Sequence, residues 1–126
     1  MKRNNLERSP KIYLLEIIEF INKIEKYTKG MSYDDFSKDT RTLDAVDANL
    51  RNIGEAVRVL SKHRRVKELF YRFHIPYIDL SDMRTDLTHE YFSMNPKSIW
   101  KTTSTLVTLK PQFRKILEEL SEHTST

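Results

Sequence analysis

The 126 residues amount to one domain, and with 38% hydrophobic and 32% charged residues they can bury a core and are not a disordered polymer. Two glycines and four prolines are too few for the turns of an all-β fold, and the absence of cysteine excludes disulfides and cysteine-held metals. A net charge of +4 is compatible with a nucleic-acid partner without requiring one.

No apolar run follows Met1-Lys2-Arg3, so no secretory leader is expected. None elsewhere approaches the roughly 18 residues of a membrane span. A cytoplasmic protein without a membrane partner is the expectation. Residues 1–8 should fray. Ser9-Pro10 then reads as an N-cap with proline at the first helical position, followed by Leu14, Ile17, Ile18, Ile21 and Ile24 at helical spacing. Gly30 ends this helix, since glycine takes the left-handed conformation found past helix ends. Ser32 and Asp35 are spaced as a capping pair for a short helix to Lys38.

Asp39 or Thr40 caps a longer helix whose apolar residues are Leu43, Val46, Leu50, Ile53, Val57 and Leu60. Steps of three and four form a narrow seam for a partner helix, inside the bundle or across a dimer. Residues 64–75 are basic and aromatic, a short helix and a turn ending at Ile75-Pro76. Asp79 or Ser81 can cap a helix through Met83 and Leu87 to about Tyr91. Asn95-Pro96 opens the last helix, with Ile99, Leu106, Leu109, Phe113, Ile116 and Leu120 on one side and a kink expected at Pro111. Residues 122–126 should fray. The pattern predicts a single all-α domain over 1–126, an up-and-down bundle of four or five helices.

The chemistry concentrates in Arg84-Thr85-Asp86-Leu87-Thr88-His89-Glu90-Tyr91. Imidazole titrates near cellular pH and can move a proton. Guanidinium binds two phosphate oxygens at once and stabilises charge built up in phosphoryl transfer. RNA brings its own nucleophile, the 2′-hydroxyl, so such a pair can cleave it with no metal or cofactor. Asp86 could fix the tautomer of His89. Arg84 and Tyr91 share a helical face, whereas Arg84 and His89 diverge by roughly 140°. Gripping one phosphate then requires the helix to end between them, or a twofold dimer that brings two copies together. Taken alone, an arginine and a histidine here also suit a solvated face or a helix cap.

Several flanking features accompany the motif: Ile53-Gly54-Glu55-Ala56 in the long helix, Ile75-Pro76-Tyr77, Met83 before the arginine, Phe92, Ile99-Trp100 and Leu109-Lys110-Pro111. With them, the chain from about Leu14 to Leu120 resembles the HepT-type toxins of the HEPN superfamily. The resemblance implies a homodimer in which paired motifs form a metal-independent RNA-cleaving cleft. Arg84 and His89 become the catalytic pair. Thr85 and Asp86 are candidate supporting residues, and Glu55 is a third that could face the cleft, the antitoxin or only solvent. Tyr91 becomes the residue inactivated by AMP transferred from ATP by a partner MntA-type nucleotidyltransferase, the antitoxin. Thr85 stands where the family usually has asparagine, and Tyr77 where tryptophan is common. A different class also fits, a non-catalytic helical module that docks onto a nucleotidyltransferase.

Arg58, Lys62, Arg64 and Arg65, in a basic run with His63, Lys67, Arg72 and His74, are candidate phosphate contacts or a solubilising surface. Asp82, Asp86 and His89 share a helical face, but the chain has no second such set to complete a metal site. Trp100 and Phe113 read as core.

Overall fold

The computed structural model describes residues 9–88 and 95–124, the side chains of 84–88 and 123–124 excepted. Its helices are α1 (Pro10–Thr28), α2 (Tyr33–Lys38), α3 (Thr40–Leu60), α4 (Arg64–Arg72), α5 (Tyr77–Thr88) and α6 (Pro96–Thr124). The described residues contain no strand. The fold is all-α, with six helices among the described residues rather than four or five, because the short α2 and α4 occupy turns between longer ones.

Side-chain caps set the early boundaries. Ser9 Oγ accepts from the Lys11 N–H at 3.0 Å. At α2 the Ser32 hydroxyl accepts from the Asp35 N–H and the Asp35 carboxylate from the Ser32 N–H, both at 3.1 Å, a reciprocal capping box. Of the two candidate caps for α3, Asp39 does the work, its carboxylate accepting from the Thr42 N–H at 3.0 Å. These bonds hold the Asp39 carboxyl below its ordinary range.

Leu14, Ile17, Ile21 and Ile24 of α1 and Val46, Leu50, Ile53, Val57 and Leu60 of α3 are fully buried, each contributing about 1.5–3 kcal/mol by leaving water. The narrow seam of α3 is used inside the protomer: α3 packs on α1 and, most extensively, on α5. Gly54 is buried on α3, consistent with the close packing expected of a glycine in a helix interior. α6 runs antiparallel to α1, with the Lys110 ammonium donating to Asn22 Oδ1 at 2.8 Å and to Glu25. Phe36 of α2, also fully buried, lies 4.9 Å from the Trp100 ring and fixes α2 on α6. Pro111 sits within α6 on an exposed position, and the helix continues past it to Thr124.

α5 begins at Tyr77, ahead of the Asp79 and Ser81 caps expected from sequence. The Pro76 carbonyl accepts the first helical bond, from the Leu80 N–H at 3.0 Å, so Asp79 falls inside the first turn, where its charge suits the helix dipole. The preceding turn is a Schellman closure of α4: the Ile75 N–H donates to the Phe70 carbonyl at 2.8 Å and the His74 N–H to the Tyr71 carbonyl at 3.2 Å. His74 takes φ 60° there, a left-handed conformation costing a non-glycine residue about 1–2 kcal/mol.

Candidate functional site

Arg84, Thr85 and Asp86 lie on the last turns of α5. His89 and Tyr91, the expected proton carrier and AMP acceptor, lie outside the described residues, as do the side chains of Arg84, Thr85 and Asp86. The described part of α5 ends at Thr88, one residue before His89.

Glu55 is committed to a neighbour on its own helix. Its carboxylate accepts from Arg58 Nε at 3.1 Å and from Arg58 Nη2 at 2.6 Å, a bidentate pair. The hydrogen bonds that Arg58 donates to Glu55 push its guanidinium above its ordinary pKa, so its charge is permanent. Arg58 therefore meets any phosphate as half of an ion pair. Arg65 reaches Glu119 of α6 at 3.5 Å, and Arg72 reaches the same carboxylate at 2.9 Å. Lys62 and Arg64 are exposed. The structure thus gathers the basic run on α4 and its N-terminal approach, and divides it between cations that tie α4 to α6 and cations that face water.

The family model described as "Ribonuclease HepT-like" matches residues 17–120 of the chain. That span takes in the motif, the long helix and most of α6. The chain belongs to the ribonuclease HepT-like family. Relatives of full length agree. A candidate RNase of Methanocaldococcus jannaschii is 33% identical over 117 residues, covering 92% of this chain and 97% of the relative. A protein of Thermococcus cleftensis named "Probable ribonuclease HepT" is 35% identical over 114 residues, covering 88% and 98%. A candidate RNase of Caldanaerobacter subterraneus is 34% identical over 113 residues, covering 89% and 97%. No solved structure is a significant match.

In this HepT-like chain the described residues hold no helix long and apolar enough to cross a membrane. Two features escaped the sequence reading. Tyr71, inside the basic run, stands out into solvent; its place beside Arg72 was the available signal. Asp47 is buried, with its Oδ2 3.1 Å from Arg51 and its Oδ1 without a hydrogen-bond partner. Its sequence signal was position, one residue after Val46 and three before Leu50 of the seam.

Burial raises the Asp47 carboxyl above its ordinary value of 3.8, with Arg51 opposing and Asp44 reinforcing the shift. A carboxyl with a raised folded pKa binds its proton more tightly in the native state. Its contribution to stability is therefore complete below the unfolded value and is lost as pH rises through the folded one. Asp47→Asn is expected to match wild type in urea unfolding at low pH. Above 3.8 it should become the more stable protein, since the amide carries no charge to desolvate. A mutant less stable than wild type at neutral pH would mean that the Arg51 attraction outweighs desolvation.

Proposed function

We propose that this chain is a metal-independent endoribonuclease that works as a homodimer and serves as the toxin of a toxin–antitoxin pair in the cytoplasm. The observation that carries the reading is a family match running through residues 17–120, with Arg84, His89 and Tyr91 inside it. On a helix, residues five apart such as Arg84 and His89 diverge by roughly 140°, which supports a site shared by two protomers.

In this mechanism His89 of one protomer takes the proton from the ribose 2′-hydroxyl. The 2′-oxygen attacks the adjacent phosphorus, and the bond to the 5′-oxygen breaks. His89 of the second protomer protonates that leaving oxygen. The products carry a 2′,3′-cyclic phosphate and a 5′-hydroxyl. The two Arg84 side chains hold the non-bridging oxygens as charge gathers on them. Tyr91 is the hydroxyl to which an MntA-type nucleotidyltransferase transfers AMP. The bulky anionic adduct then repels RNA by like charge.

Purified protein incubated with total RNA and excess chelator should generate cyclic-phosphate ends, and induced expression should arrest growth until the nucleotidyltransferase is supplied. Cleavage that stops when chelator is added would exclude the metal-free mechanism. Tight binding to the nucleotidyltransferase with no cleavage and no arrest would instead make the chain a docking module.

A further inference from the structure

The turn that closes α4 borders an open cleft of about 950 Å³ against the middle of α6, lined by Tyr71, Arg72, His74, Tyr77, Thr105 and Leu109. We propose that this cleft is a subsite for one unpaired nucleobase of single-stranded RNA, with the Tyr71 ring as its stacking platform. The proposal rests on the ribonuclease reading and extends it to substrate binding away from the reacting phosphate.

Tyr71 is 81% exposed, the most exposed of the large hydrophobic residues described. Its ring presents a face to solvent beside a cavity already walled by aromatic groups. Behind it, Phe70 and Tyr77 stack at 5.9 Å with 25° between their planes, which fixes the far wall. Thr105, His74 and the tyrosine hydroxyls supply donors and acceptors for a base edge. Every base offers a π-face, so such a platform is tolerant of sequence.

Charge selects the occupant. α4 carries Arg64, Arg65, Lys67 and Arg72 against Glu68, and Glu119 of α6 engages Arg65 and Arg72, so the cleft is approached past the exposed Arg64 and Lys67, cations suited to a phosphate backbone. The occupant must be single-stranded, because paired bases keep their faces stacked inside the duplex. His74 lines the cleft in the left-handed conformation that glycine would adopt without strain, a cost more often retained where a side chain has a task. Tyr77, at the cleft, and Arg84 are seven residues apart on α5, about 10 Å along its axis. A strand seated in the cleft is therefore close to the proposed scissile phosphate.

The test uses a short, mixed-sequence, fluorescein-labelled 2′-O-methyl RNA, which cannot supply the nucleophile. Binding is followed by anisotropy at several salt concentrations for wild type, Tyr71→Ala and Tyr71→Phe, alongside cleavage of total RNA. Tyr71→Ala should lose roughly 5- to 100-fold in affinity with an unchanged salt slope, since no phosphate contact is removed. Tyr71→Phe should bind like wild type. Equal affinity for wild type and Tyr71→Ala, with wild-type cleavage intact, would overturn the subsite and leave the ribonuclease standing. Wild type that neither binds nor cleaves RNA would overturn both. A change in the molecular mass of Tyr71→Ala by light scattering would assign the ring to a protein interface and overturn the subsite.

Discussion

His89→Ala is expected to lower RNA cleavage by roughly 10²–10⁴-fold, the usual contribution of a positioned proton carrier. Arg84→Ala should fall by a comparable factor, because the charge gathering on the phosphate oxygens loses its counterpart. Arg84→Lys should recover only part of the loss, since an ammonium keeps the charge but not the two-pronged grip. The proposed sharing of the site between two protomers makes a sharper claim. If one His89 takes the proton and its symmetry mate returns one, a dimer with a single intact histidine is crippled. Wild-type subunits exchanged into a large excess of His89→Ala should then lose activity per wild-type subunit. Activity that scales simply with the amount of wild type would place the whole machinery in one protomer. The pH profile offers a second check: one histidine acting as base and another as acid yields a bell, and its flanks should disappear in the His89 variant.

Much of this architecture was legible because local rules and tertiary packing agree. Ser9, the Ser32/Asp35 box and Asp39 announce helix starts by residue type and spacing, and the seam from Val46 to Leu60 is buried as its periodicity requires. α5 was misplaced for a physical reason. Asp79 and Ser81 have the chemistry of caps, but the Pro76 carbonyl reaches the Leu80 N–H first, and capping residues inside a first turn look the same on paper. The motif that begins on α5 is visible as text because its chemistry is local. The Glu55–Arg58 pair was within reach, three residues apart on one helix, although spacing alone does not say that Arg58 is engaged. Glu119 gathering Arg65 and Arg72 and the cleft beside Tyr71 depend on which helices meet. No periodicity within one element encodes that.

The largest effect on stability is expected at Phe70. Its side chain is fully buried, and it meets Tyr77 of α5 at 5.9 Å and Phe113 of α6 edge-on at 6.4 Å. One ring therefore braces α4 against both the first turn of the motif-bearing helix and the long helix behind it. Phe70 also supplies the carbonyl that closes α4 onto Ile75, so the Schellman turn and the ring cluster are anchored at the same residue. Truncating a buried phenylalanine costs about 3–5 kcal/mol, a large share of the 5–15 kcal/mol that holds a typical domain together. Phe70→Ala should lower the urea midpoint accordingly without a comparable change in slope. Phe70→Leu keeps most of the volume but not the flat ring. It should cost less, about 1–2 kcal/mol, and stay folded at room temperature, which allows activity to be read. Because α5 leaves this cluster at Tyr77 and carries Arg84 two turns later, a small tilt at its root displaces the guanidinium at its far end. Phe70→Leu should therefore lose more cleavage than its folded fraction explains, whereas Ile24→Val, in the same core on α1, should lose only what its stability dictates. Equal behaviour of the two variants would mean that the ring cluster supports the fold without aiming the helix.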